Sequence, residues 1–184
     1  MRQGVLGKLA RATVQAFQFI FCSVVFGFVS VLAKALSSAE YLRWLLMSYT
    51  AMRKVKIGAL SQAKRLGLEM LALSPKYKDD WNFGNAIHKV NTVLGLAALR
   101  ENNVKDAKRR LVLSGMTLGS PQLDSFGPNM MLAKELMKVG ESTSVLEYFH
   151  MCRQFWKSDF GALDSWEQTV QKGGIPNFGN HLLY

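Results

Sequence analysis

The chain has 184 residues, enough to bury one core, and 49% of them are hydrophobic, so we expect a single folded domain. Its two cysteines exclude a disulfide framework and indicate no redox compartment. The net charge is +10, which suggests a nucleic-acid partner only if the positive charge follows the folded body.

The positive charge is concentrated near the N-terminus. Residues 1–57 contain eight Lys or Arg and one acid, Glu40, a net charge of +7. Residues 58–184 contain fifteen Lys or Arg and twelve Asp or Glu, a net charge of +3. The excess charge therefore flanks the most hydrophobic segment, which is typical of a membrane flank and argues against a nucleic-acid partner.

That hydrophobic segment is residues 16–33, eighteen residues without a charge. As a helix it is just long enough to cross a bilayer core, so it predicts a single-pass N-terminal anchor in contact with membrane lipid. A signal peptide cleaved near Ala33 or Ala39 would instead give an exported protein. A buried helix and an organelle-targeting leader are the remaining hypotheses, because no acid precedes Glu40.

Apolar residues at intervals of three and four then predict helices. The first starts at Ser38 and ends before Gly58, and the second covers residues 59–74 and stops at Pro75. The following insert, residues 78–87, contains Trp81 and Phe83, which we expect to be buried between helices or to contact a ligand.

Small residues recur along Asn91 to Pro121 where two antiparallel helices would touch. These small residues and the leucines between them predict a helix-turn-helix. A unit of this size cannot bury its apolar face alone, so it has to stack on neighbouring units. This pattern resembles the tetratricopeptide repeat (TPR), a family of two-helix units that builds binding scaffolds. The resemblance implies repeats at residues 44–77, 88–121 and 126–159, with turns at Gly58, Asn102 and Gly140. The residues assigned to repeat packing are Ala51, Ala63, Leu94, Gly95, Ala98, Ala107, Leu111, Ser114, Leu132, Ala133, Val145, Phe149 and Cys152.

The segments after the second repeat have different expected roles. Residues 119–128 have turn chemistry, with Leu123 and Phe126 as apolar contacts. A helix from about Leu163 to Val170 would cap the apolar face of the last repeat. The tail, residues 173–184, either packs back on the last helices or forms a partner-binding peptide.

The fold prediction is an all-α protein with a short TPR-like superhelix of about three helix pairs. Residues 1–36 form a basic leader with a hydrophobic N-terminal helix, residues 37–159 the repeat domain, and residues 160–184 the capping helix and the apolar tail.

The sequence contains few patterns that are typical of a catalytic or metal site. His88, His150 and His181 have no second ligand at metal-site spacing, and the glycines occur singly at turns and not in a phosphate loop. Carboxylates lie at predicted helix ends, where capping explains them. We expect no cofactor, no metal and no enzymatic activity.

The resemblance places the ligand groove on the first helix of each repeat. Its expected lining is Lys89, Thr92, Leu96, Leu99, Arg100, Met130, Lys134, Met137 and Lys138. These differ from the Lys, Asn and Arg set with which some family members hold a peptide carboxylate, and some of the apolar ones would serve the core. An apolar groove with a basic edge suits an amphipathic or acidic helix.

The sequence therefore predicts a membrane-tethered protein-protein interaction scaffold, either an assembly factor or an accessory subunit of a membrane complex. The alternative is a soluble or exported basic helical-repeat protein that binds RNA or an acidic partner.

Overall fold

A computed structural model describes residues 34–183, and the chain divides into two compact units at Arg43 and Trp44. Residues 34–43 of the first unit are helical. Within residues 34–183 the secondary structure is entirely helical, which confirms the all-α class. The predicted anchor, residues 16–33, and Cys22 lie outside the described residues.

The helices follow one another with short connections. They are α1 (34–56), α2 (Leu60–Leu73), α3 (Phe83–Arg100), α4 (Val104–Gly115), α5 (Pro121–Phe126), α6 (Met131–Lys138), α7 (Ser142–Phe155) and α8 (Ala162–Gln171), with 3₁₀ turns at Ser74–Tyr77 and Gly179–Leu182.

Three helix pairs, α1–α2, α3–α4 and α6–α7, are each joined by a tight turn. The turn residues Gly58, Asn102 and Gly140 have φ values of 79°, 60° and 87°, the left-handed conformation expected of them. Each pair overlaps one of the predicted repeat ranges, although α1 and α3 begin before residues 44 and 88. Helix α3 packs against α2, α4 and α6, helix α4 against α7, and α8 against α7, so each pair contacts its neighbours along the chain.

Every residue assigned to repeat packing is buried, and Gly95 shows why size matters there. A Cβ atom added to Gly95 would lie 2.2 Å from Leu132 Cδ2 and 3.0 Å from Arg110 Cβ. Helix α3 can therefore approach both α4 and α6 only because this position has no side chain.

Two local predictions were wrong, and a third was wrong in one of its two alternatives. Ser38 does not begin a helix, because residues 34–37 are already helical and its hydroxyl donates back to the Lys34 carbonyl at 2.8 Å. Residues 121–126 are not a turn but form α5, whose N-terminal amides are capped by the Ser120 hydroxyl, with Pro121 in the first turn. Of the two outcomes expected for Trp81, burial between helices is wrong, because the residue is 58% exposed, whereas a ligand contact stays a prediction.

The tail from residue 174 to 183 packs back on the last helices, as one of the two hypotheses expected. Phe178 is buried with its ring 5.0 Å from that of Trp166 and 6.2 Å from that of Phe149. The His181 carbonyl accepts a hydrogen bond from the Met130 amide at 2.9 Å. The tail thus completes the core over α7 and α8.

None of the helices in residues 34–183 combines the length and the apolar character needed to cross a membrane.

Candidate binding groove

A cavity of about 510 Å³ opens between the end of α1, the end of α3 and helix α6. We call it the basic groove, and its lining is Val55, Lys56, Leu96, Leu99, Arg100, Met131, Lys134, Glu135, Lys138, Val139 and Leu182. Its volume lies inside the range of about 300–1,000 Å³ that is typical of ligand clefts.

Part of the predicted lining meets in this groove. Leu96, Leu99 and Arg100 from α3 face Lys134 and Lys138 from α6, so one wall belongs to the second helix pair and the other to the third. The two walls come together because α3 packs directly on α6.

Three other predicted lining residues lie in the core. Met130 is fully buried, Met137 belongs to the hydrophobic core, and Thr92 is buried with its hydroxyl donating to the His88 carbonyl at 3.0 Å. The physical reason is that α3 is enclosed by α2, α4 and α6, so its residues from His88 to Ala98 are all buried.

Lys89, the last residue of the predicted lining, lies away from the basic groove. It is buried beside α1 and lines two smaller cavities, with its Nζ 3.6 Å from the centre of the Tyr49 ring.

The charges in the groove are unevenly paired. Lys138 forms an ion pair with Glu135, Nζ to Oε1 2.7 Å, so that pair is neutral overall. Lys56 and Lys134 have no ion-pair partner within residues 34–183. Arg100 has no carboxylate partner there either, so Lys56, Lys134 and Arg100 together provide the positive potential that the groove presents to a ligand.

Arg100 has a structural task as well. Its Nη1 donates a hydrogen bond to the Val55 carbonyl, in the last turn of α1. A cation at a helix C-terminus stabilises the unpaired carbonyls there. Arg100 therefore ties α1 to α3 and is a poor position at which to test ligand charge alone.

His88 of α3 is the centre of a buried hydrogen-bond network. His88 Nε2 accepts from the Asn129 amide at 2.9 Å, so Nδ1 is the ring donor and bonds the Ser114 carbonyl at 3.0 Å. Tyr148 donates its hydroxyl to the Asn129 carbonyl at 3.1 Å. Burial lowers the pKa of His88 to about 4, so the ring is neutral at pH 7. This histidine joins α3 to α4 and to the segment before α6, which Tyr148 connects to α7, and its two bonds leave it no lone pair for a metal.

The remaining reactive groups have ordinary explanations. Burial raises the pKa of the Cys152 thiol, which keeps it protonated and inert. Partial burial lowers the pKa of His181, whose Nδ1 lies 3.2 Å from the Pro128 carbonyl. Among residues 34–183 no three His, Cys, Asp or Glu side chains cluster in a way that could hold a metal ion.

Several groove residues were not predicted from the sequence. Val55 and Lys56 come from the end of α1, Met131 and Glu135 from α6, and Leu182 from the tail. Lys56 could have been predicted, because it lies at the basic end of the first predicted helix. Leu182 could not, because its position depends on how the tail folds back.

Comparisons with protein-family models, with curated proteins and with solved structures find no match to this chain. The interpretation of the groove therefore depends on its own residues.

Proposed function

We propose that the protein is a membrane-tethered, TPR-like scaffold that binds a partner protein in the basic groove. It would act as an assembly factor or as an accessory subunit of a membrane complex. The observation that carries the proposal is the groove itself, in which apolar side chains and two unpaired lysines from separate helices face one cavity.

The helix arrangement supports the TPR-like part of the proposal. Three antiparallel pairs with left-handed turn residues stack in sequence, with first helix on first helix (α3 on α6) and second on second (α4 on α7). Helix α8 then covers the last pair, which is the role of a terminal cap in a repeat array.

The chemistry of the lining favours an acidic amphipathic helix as the occupant. Leu96, Leu99 and Met131 offer apolar contacts that would supply most of the affinity, since desolvated apolar anchors dominate binding energies. Lys56 and Lys134 would attract acidic side chains and set the orientation and the association rate. A helix laid in a groove satisfies its own backbone, so it needs only these side-chain contacts.

Charge pairing on the body weighs against the RNA-binding alternative. Lys64, Lys108 and Arg153 are each paired with carboxylates of a different helix or helix end at 2.5–2.7 Å. Cations that are neutralised within the fold are less available to follow a phosphate backbone.

The test uses full-length tagged protein in its native membranes. After alkaline carbonate extraction the full-length chain should stay in the pellet, because residues 16–33 would anchor it, and detergent should then release it with its partner. With a Lys56→Glu/Lys134→Glu variant the amount of recovered partner should fall at least tenfold, because the variant reverses the charges of the two groove lysines that have no ion-pair partner within residues 34–183.

The control is Lys105→Glu/Lys172→Glu, which changes the net charge equally at exposed positions outside the groove. Both variants should keep the helical circular-dichroism signal. Equal loss in the control would mean that binding responds only to net charge, and full recovery with the groove variant would remove the groove from the proposal. Release of the full-length chain by carbonate would contradict the anchor.

A further inference from the structure

Two smaller cavities share a wall made by Lys89 and Tyr49. The amide-lined cavity, about 230 Å³, is lined by Tyr49, Asn85, Lys89, Gln122, Leu123, Phe126 and Gly127. The cationic cavity, about 260 Å³, is lined by Tyr49, Met52, Arg53, Lys56, Lys89 and Leu183.

Lys89 is the unusual member of this wall because its charge is buried. It is only 5% exposed, and its Nζ lies over the Tyr49 ring. Within residues 34–183 no carboxylate pairs with it. A cation–π contact with a half-exposed ring compensates only part of the cost of desolvating an ammonium group. Lys89 therefore lacks the counter-charge that a buried lysine normally has.

Two more cations face the same cavity. Arg53 and Lys56 lie one turn apart on α1, and neither has an ion-pair partner in the described part of the chain. No Asp or Glu belongs to the lining of either cavity. A cavity with three cations and no acid attracts an anion of more than one charge.

The amide-lined cavity adds directed hydrogen-bonding groups. Asn85 Nδ2 donates to Asn82 Oδ1 at 3.0 Å and to Gln122 Oε1 at 2.6 Å. This arrangement leaves Asn85 Oδ1 as an acceptor and Gln122 Nε2 as a donor without a partner among the described residues. Leu123 and Phe126 supply apolar surface beside them.

We propose that Arg53, Lys56 and Lys89 bind the phosphate group of a phosphate monoester whose organic body occupies the amide-lined cavity. A phosphate monoester carries about −1.5 to −2 charges at pH 7 and three strong acceptor oxygens, which match three cations better than a carboxylate does. Arginine can hold two of these oxygens at once, and lysine binds phosphate as a point charge.

The volume indicates how much of the ligand the cavity can accommodate. An apolar cavity of about 150 Å³ accommodates benzene, so 230 Å³ suits one substituted ring or a short chain. A soluble phosphate ester and the headgroup of a lipid phosphate share this chemistry. The site does not depend on the function proposed for the basic groove, although Lys56 borders both.

The experiment titrates full-length protein in nonionic detergent with phenyl phosphate by isothermal calorimetry. Wild-type protein should bind it, and Lys89→Met should weaken binding at least tenfold, because methionine keeps the length of the side chain but not its charge. Lys105→Met, which removes an exposed lysine of α4, should stay within twofold of wild type. Benzoate should bind at least tenfold more weakly than phenyl phosphate.

A second probe, the short-chain lipid dihexanoyl phosphatidic acid, shows whether the natural ligand is a lipid phosphate or a soluble phosphate ester. Tighter binding of this lipid than of phenyl phosphate would assign the site to lipid phosphates, and the reverse order to soluble esters. If Lys89→Met alters the circular-dichroism signal, Arg53→Gln at an exposed position replaces it and should weaken phenyl phosphate binding at least fivefold.

Three results would overturn the proposal. They are the absence of binding by both phosphate probes at millimolar concentration, equal affinities in the Lys89→Met and Lys105→Met variants, and benzoate binding as tight as that of phenyl phosphate.

Discussion

Helix α3 meets its two neighbouring pairs in different ways. Toward the third pair it is closed at Gly95, which lies against Leu132, and at the buried bonds of His88, with the basic groove beside these contacts. Toward α1 the contacts include polar ones from Lys89 and Arg100, and the basic groove and both smaller cavities have part of their lining on α1. The buried contacts hold the second and third pairs together, whereas every one of these cavities uses surface from α1.

The largest expected effect comes from filling the closed interface. Gly95→Leu should lower the free energy of unfolding by more than the roughly 1–3 kcal/mol of ordinary overpacking, because even its Cβ meets Leu132 at 2.2 Å. Thermal and urea denaturation of the full-length protein in detergent would measure the loss.

The control for this variant is Ser165→Leu at an exposed site of α8, which should change stability by no more than about 0.5 kcal/mol. Similar melting curves for Gly95→Leu and the wild type would show that α3 and α6 are not in the close contact described here.

The second largest effect is expected at low pH, which should weaken the interface between the second and third pairs. The pKa of His88 is about 4 in the folded protein and 6.5 when unfolded, so the unfolded chain binds the extra proton first as the pH falls. Stability from the neutral ring is complete above pH 6.5, declines as the pH falls toward 4, and levels off below that. The gap between the two pKa values corresponds to roughly 3 kcal/mol.

Urea denaturation at several pH values, compared with His88→Asn, would isolate this contribution. The variant should be less stable at pH 7 and should lack the part of the pH dependence that belongs to His88. The same slope between pH 6.5 and 4 in both proteins would mean that His88 is not buried in its neutral form.

The smallest effect is expected at the exposed edge of the interface between the first and second pairs. Lys64 of α2 and Glu101 at the end of α3 form an ion pair at 2.7 Å, with side chains 43% and 39% exposed. Exposed pairs contribute under about 1 kcal/mol and are screened by salt. A double-mutant cycle with Lys64→Met and Glu101→Gln should give a small coupling energy that falls further in 0.5 M salt, and a coupling above about 2 kcal/mol would contradict the contrast between the two interfaces.

The sequence was informative where one residue type satisfies one steric need. Gly58, Asn102 and Gly140 tolerate left-handed backbone, and the small residues of the repeat pattern mark where helices touch, so both could be located before the structure was known. The same logic found Leu96, Leu99 and Lys134 at the groove, since they follow one face of their helices.

The sequence was uninformative where the outcome depends on neighbours distant along the chain. Thr92 and Met130 are buried because a third helix covers them, and Lys89 faces α1 and not α6. The role of His88 depends on Asn129, which follows it by 41 residues. Periodicity on one helix cannot show which of its faces a later helix will cover.

The bridge made by His88 also affects how the protein opens. In a simple repeat array each pair touches only its neighbours through apolar surface, and end pairs fray independently. Here one imidazole bonds both the end of α4 and the backbone before α6, so the second and third pairs should open as one cooperative unit. The Asn129 amide would then exchange its hydrogen only when both pairs unfold together.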